Sequence, residues 1–299
     1  MLRVSRLLAL VPLLGLAELA LHQYFAERAP RLEDYAELAP VLLELKRVGT
    51  PVVVAPGWAE PLVRQAAPAV FPMDELARAD NNAFSRFLEV SLLGQGAAEL
   101  AAFPVLQTRQ VGPFRVSFRQ NPKPEPTRFD FVAAVERGQV EVFVEIDQQL
   151  NACALVEHAH ASTGGLHGHV AYPRVRHECG GGRFVGITLI EDEAYRPHRC
   201  ILAEPPDGGS IVLRFSSVPA SPRFVGFAGF SYFLERDATS DEVELDVNEA
   251  GAELGLYRAS GARGWSRFEL ARGAPGPVDV KLRRLLRKTG DVCFALEAR

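Results

Sequence analysis

The pattern of apolar and polar positions changes character twice along the chain. Residues 7–25 are nearly continuous in apolar side chains, from Leu7 through Ala17 and, past Glu18, on to Tyr24 and Phe25. Arg3 and Arg6 precede the run, which is the layout of a secretory signal or a signal anchor. Its length approaches the ~20 residues that span a bilayer. Gly15, Leu16 and Ala17 offer small residues for signal-peptidase cleavage, while Glu18 stands against a clean span, because a charge near mid-bilayer costs roughly 2.5–3.5 kcal/mol. Residues 1–30 are therefore read as a signal peptide or membrane anchor.

Residues 31–104 carry a helix-like period. Tyr35, Leu38, Leu42 and Leu45 recur every three or four positions, with Pro40 expected to break or restart the helix. Val52, Val53 and Val54 make a short buried-strand candidate, and helices are expected at 60–67, 74–79 and 84–93. This order reads as a small α/β region. From about Val105 the pattern turns to alternation punctuated by turns. Strands are expected at 114–118, 129–135, 140–146, 184–190, 200–203, 211–215, 232–234, 243–247, 265–270, 278–282 and 292–296. Many short strands at similar spacing predict an antiparallel β-sandwich over 105–299. Residues 105–119 form a hairpin at the domain boundary, before the Pro-rich joint 121–126. Residues 147–182 show no period and are read as one long Gly/His-rich loop. The fold class is thus α+β: a leader helix, a small α/β region, then a jelly-roll-like sandwich.

Composition supports a folded chain: 47% of its 299 residues are hydrophobic and 23% charged, with 25 Gly and 21 Pro favouring turns. A net charge of −4 gives no electrostatic reason to expect nucleic acid as a partner. The four cysteines, Cys153, Cys179, Cys200 and Cys293, allow three pairings in an oxidising compartment. Cys153–Cys179 with Cys200–Cys293 is preferred, because the first bridge would order the irregular loop.

The stretches Gly264–Leu270, Gly276–Leu282 and Cys293–Leu296 resemble the closing strands of jelly-roll carbohydrate-binding modules, over about residues 183–299. The resemblance implies a sandwich whose ligand is a glycan. Val52–Trp58 with the helix after it resembles the soluble piece attached to polytopic membrane glycosyltransferases. That likeness implies an accessory of surface-polysaccharide assembly, since the acidic catalytic loop and the many spans are absent.

His158, His160, His167 and His169, with Glu157 beside them, place imidazoles on both sides of a Gly-Gly turn, a donor set suited to zinc. Against it, no His-Glu-x-x-His occurs, and a solvated loop explains the same residues. Carboxylates gather at Glu191, Asp192 and Glu193, and again at Glu235, Asp237, Asp241 and Glu242; calcium or hairpin-tip solvation would each account for them. Trp265 alternates with Arg267 and Glu269, so with Tyr232 it is the candidate sugar-stacking platform. The basic run from Lys281 to Lys288 reads as a solvated edge or a contact for anionic polymer. No Gly-x-Ser-x-Gly elbow, Walker loop or dinucleotide fingerprint is present.

Two functions follow as expectations. The first is a non-catalytic binding or accessory protein of the cell envelope. It would be exported, either inner-membrane-anchored or periplasmic or extracellular, require no cofactor, and have envelope glycan or a membrane glycosyltransferase as partner. The alternative is a metal-dependent hydrolase of envelope glycan acting through the His158–His169 loop.

Overall fold

A computed structural model describes residues 12, 14–24, 29–160, 172–192, 196–230, 242–285 and 292–299. Residues 14–24 are helical, and their leucines are exposed. Among the described residues no helix is long and apolar enough to cross a membrane. Arg3, Arg6 and most of the apolar run before residue 14 lie outside the described residues.

The chain divides into two compact units, one ending at Phe71 and resuming over Arg86–Gln120, the other comprising Pro72–Ser85 and Asn121–Arg299. In the first, helix α1 (Leu32–Leu45) runs unbroken through Pro40, against expectation. Asp34 accepts the Arg31 N–H at 2.7 Å, and Tyr35, Leu38, Val41 and Leu42 bury one face whose packing outweighs the lost backbone bond. Strand β1 (Val52–Ala55), helix α2 (Glu60–Ala66), β2 (Arg86–Leu92), β3 (Val105–Val111) and β4 (Phe114–Gln120) complete it. The sheet order is β1-β2-β4-β3, with β1 and β2 parallel. Residues 84–93, expected as a helix, are instead the central strand β2. Every residue from Phe87 to Leu92 is buried, so the run shows no alternation. Its one carboxylate, Glu89, is satisfied by Arg119 Nε at 2.7 Å and the Ala97 N–H at 2.7 Å. The hairpin 105–120 supplies strands to this sheet, so the α/β unit extends past the expected boundary at residue 104.

The second unit begins with the one-turn helix α3 (Met73–Leu76) and resumes with β5 (Phe129–Asp130) and α4 (Phe131–Glu136). The strand expected over 129–135 therefore turns helical after two residues. Asp130 caps the turn by accepting the Ala133 N–H at 3.1 Å, and burial at 131, 132, 134 and 135 follows helical spacing. The strands that follow are β6 (Glu141–Ile146), β7 (Gln149–Ala152), β8 (Ala154–Val156), β9 (Arg176–Gly180), β10 (Arg183–Glu191), β11 (Pro197–Ala203) and β12 (Ser210–Val218). Then come β13 (Arg223–Gly229), β14 (Glu242–Glu249), β15 (Ala252–Ser260), β16 (Ser266–Ala271), β17 (Gly276–Arg284) and β18 (Val292–Ala298).

They form two antiparallel sheets, β16-β13-β18-β11-β10-β9-β8, with β5 on β18, and β15-β14-β17-β12-β6-β7. From β11 to β18 the chain crosses to the opposite sheet at every step except the β14–β15 hairpin. The resulting orders, β11-β18-β13-β16 over β12-β17-β14-β15, are those of a jelly roll. Strands β6–β10 widen both sheets on one side. Three of them, β7, β8 and β9, lie in the segment expected to be a loop. The exposed residues of β7 and most of β8 gave no alternation to read.

Alternate residues of both sheets fill the space between them. Phe131 enters from α4 and meets Phe215 and Phe224 edge-to-face at centroid distances of 4.7 and 5.4 Å. A smaller cluster of Phe184, Ile190, Cys200, Leu202 and Cys293 packs with Trp265. Both preferred disulfides are present: Cys153–Cys179 ties the β7–β8 crossing to β9, and Cys200–Cys293 joins neighbouring strands β11 and β18.

Candidate functional site

A pocket of about 450 Å³ opens in the sandwich unit between residues 74–84, the stretch Thr127–Val132 with Arg137, and positions 295–297 of β18. Its wall at 74–84 has little regular structure and is held by polar contacts to the sandwich. Arg299 donates to both carboxylate oxygens of Asp80, at 2.8 and 3.0 Å. The Ala77 carbonyl accepts the Arg199 N–H at 3.0 Å, and the Asn82 carbonyl accepts the Glu125 N–H at 2.8 Å. Asn121 Nδ2 adds bonds to the carbonyls of Asn82 and Phe84. Burial alone would lower the Arg299 pKa, but the hydrogen bond to Asp80 and the charges of Glu297 and Asp80 outweigh it and raise it.

The floor is apolar, from Phe84, Phe129, Val132 and Ala295. Asp130 and Glu297 stand directly opposite each other in the β5–β18 pairing and both line the pocket. Glu297 accepts from Arg299 Nε and from the Thr127 hydroxyl, each at 2.7 Å. Burial nevertheless pushes its carboxyl above the ordinary value, helped by the Asp130 charge and opposed by Arg299. On the rim, Arg199 pairs with Glu136, Arg128 Nη1 donates to the Ala220 carbonyl at 3.3 Å, and Arg137 Nε donates to Gln139 Oε1 at 3.0 Å. Asp74 is exposed at the mouth. The pocket thus offers many hydrogen-bond donors and acceptors beside a few apolar side chains, a lining more polar than that of most small-molecule sites.

The residues singled out in the sequence lie elsewhere or are otherwise engaged. Trp265 is no open platform. Its indole lies parallel to the His198 ring at 4.5 Å, packs against both core clusters, and buries Nε1 without a partner among the described residues. Gly229 lets the Trp265 backbone come close, since a Cβ there would stand 2.9 Å from Trp265 Cα. Arg267 is spent on Glu269 at 2.5 Å and on Asp80 at 3.6 Å. Tyr232 lies outside the described residues. The tryptophan that stands in solvent is Trp58 of the first unit, 59% exposed.

His158 and His160 are exposed, while His167 and His169 lie outside the described residues. Among the described residues no group of three or more His, Cys, Asp or Glu is placed to hold a metal ion. Asp192, read as a calcium candidate, is a buried structural hub. It accepts the Arg196 N–H at 3.0 Å, and its other oxygen lies 2.9 Å from Arg196 Nη2 and 3.0 Å from His198 Nε2. Burial alone would raise the Asp192 carboxyl, but the bonds from His198 and Arg196 hold it well below the usual range. Glu193, Glu235, Asp237 and Asp241 are outside the described residues. In the basic run, Lys281 pairs with Glu145, Arg283 with Glu244, and Arg284 with Asp207.

Sequence reasoning missed Arg128, Asp130, Arg137 and Glu297. Nothing in a linear pattern brings position 297 opposite position 130. The available signal was the dense Thr127-Arg128-Phe129-Asp130 stretch after the Pro-rich joint.

No protein-family model and no curated protein matches the chain. Solved structures to which parts of the chain align include the CBM51-2 and INT domains of Clostridium perfringens ZmpB, at 10% identity over 69% of this chain, with a TM-score of 0.30. The same domains in complex with GlcNAc align over 53% of this chain at 10% identity and a TM-score of 0.28. A structure described as "CBM4 structure and function" aligns over 53% of this chain at 6% identity and a TM-score of 0.24. The chain spans 42% and 37% of the two ZmpB structures. Likenesses at this level carry no functional inference, and the jelly-roll assignment rests on the strand order. No comparison extends the glycosyltransferase likeness of residues 31–104.

Proposed function

We propose that the sandwich unit is a non-catalytic carbohydrate-binding module that works outside the cytoplasm and takes its ligand in the pocket beneath residues 74–84. The observation that carries this reading is the pocket itself, with Phe84 and Phe129 on an apolar floor and guanidinium and carboxylate groups around it. A sugar ring presents an apolar C–H face and a perimeter of hydroxyls, and this lining matches both. The two disulfides fit an oxidising compartment. Export through the apolar residues 7–25 is part of the same proposal.

The test is titration calorimetry of the purified full chain against a panel of neutral and acidic oligosaccharides, repeated with Ala83→Trp to fill the pocket. Binding to a glycan class that disappears in Ala83→Trp, at unchanged melting temperature, supports the reading. Absence of binding across the panel, or binding indifferent to Ala83→Trp, overturns it.

A further inference from the structure

The carboxylates and guanidinium groups of the pocket are not equally committed. Asp80 is held by the Arg299 fork and Glu297 by Arg299 and Thr127, while one oxygen of Asp130 caps α4. By contrast, the Arg128 and Arg137 bonds described above go to neutral oxygens, one from each side chain, and both residues are exposed. Neither is ion-paired among the described residues. A guanidinium carries five N–H donors, so most of the donor capacity at this rim is unspent on the protein. Arg128 precedes β5 and Arg137 follows the six-residue helix α4, about 9 Å of helix, and both residues line the pocket.

We infer that the pocket selects an acidic glycan, with sugar carboxylates held by Arg128 and Arg137 and ring hydroxyls turned toward Asp74. This rests on the carbohydrate-binding reading and names the ligand class within it. A carboxylate accepts two parallel N–H bonds from a guanidinium, and charge-assisted bonds are about twice as strong as neutral ones. Hydroxyls of a neutral sugar would meet the two guanidinium groups only through bonds without the second charge that strengthens a carboxylate contact. Asp74, an acceptor when ionised, suits hydroxyl protons and disfavours a carboxylate at its own side of the mouth, which fixes the ligand's direction.

The experiment compares oligogalacturonide with its carboxyl-reduced neutral counterpart, and with a sulfated oligosaccharide of similar length, on the full chain and on Arg128→Gln/Arg137→Gln. The expected result is at least tenfold tighter binding of the uronide than of the reduced form. That preference should collapse in the double variant, with residual neutral binding retained. Both substitutions are at exposed positions, so an unchanged melting temperature is required of the variant. Equal binding of acid and reduced forms, or a preference that survives the double substitution, overturns acid selection and leaves glycan binding standing. Tighter binding of the sulfated sugar overturns the carboxylate assignment. No binding to any of the three or to the neutral panel overturns both readings.

Discussion

Arg299 grips Asp80 across 219 residues of sequence with two near-parallel hydrogen bonds, Nη2 to Oδ1 at 2.8 Å and Nη1 to Oδ2 at 3.0 Å. The Arg299 side chain is 1% exposed, so the pair works where water does not compete. Beyond the one turn of α3, residues 77–84 form no helix or strand. This fork, with the Asn82 and Ala77 backbone bonds, is what gives the pocket a fixed wall.

Removing one arm of the fork is expected to be costly. Asp80→Ala leaves a buried guanidinium with Glu297 at 2.7 Å and Glu125 at 3.7 Å, and is expected to lose about 3 kcal/mol in urea unfolding. Glu125→Gln removes a carboxylate 3.7 Å from Arg299 and partly exposed, and should cost under about 1 kcal/mol. Equal losses in the two variants would show that the fork is not what holds the wall.

The disulfides should differ in the stability they confer. The bridges close loops of 26 and 93 residues, which in the chain-entropy picture corresponds to about 3.5 and about 4.5 kcal/mol. Double Cys→Ala at 200 and 293 also removes sulfur from the packed cluster with Leu202, and should lower the melting temperature more than the same change at 153 and 179. Reversed ranking would mean that strain or structure in the unfolded chain outweighs loop entropy.

Legibility in the sequence followed burial. Where one strand face is buried and the other wet, as in β17 and β14, alternation marked the element and roughly its ends. Strands buried on both faces showed no period: β2 was read as a helix, and β13, buried from Phe224 to Gly229, was not read at all. Exposed β7 failed for the opposite reason, having no buried face to write a pattern. Cysteine pairing was readable because it depends on compartment and loop closure. The pocket was not, because Arg299, Glu297 and Asp80 meet only through the jelly-roll winding.

Stability should fall on mild acidification. Burial lowers the pKa of His177, and also of His198, where Asp192 partly offsets it. The unfolded chain therefore binds more protons than the folded one, so their contribution is complete above the unfolded value of about 6.5 and is lost as pH falls below it. Glu297, raised by burial, acts in the opposite sense, its contribution being complete below the unfolded value and lost as pH rises through the folded one. The His177 ring is buried and the Cys153 backbone only partly offsets the effect of that burial, so His177→Leu should cost little at pH 7.5. It should also flatten the decline in unfolding free energy between pH 7.5 and 5.5, by at most about 1.4 kcal/mol per pH unit. An unchanged slope would remove His177 from the account.

Gly226 and Phe268 oppose each other in the β13–β16 pair, and the Phe268 ring lies over the glycine while stacking on Tyr257 at 4.2 Å. A Cβ at position 226 would stand 2.1 Å from Phe268 Cζ and 2.5 Å from both Cε atoms. The ring cannot retreat, because Tyr257 covers it and is itself fixed by a 2.6 Å bond between its hydroxyl and Ser266 Oγ. Gly226→Ala should therefore destabilise by about 1–3 kcal/mol, as overpacking does. Adding Phe268→Leu should recover part of that loss, since the smaller side chain vacates the space. If Gly226→Ala alone proved neutral, the aromatic stack would be free to slide, and the overpacking account of this position would have to be abandoned.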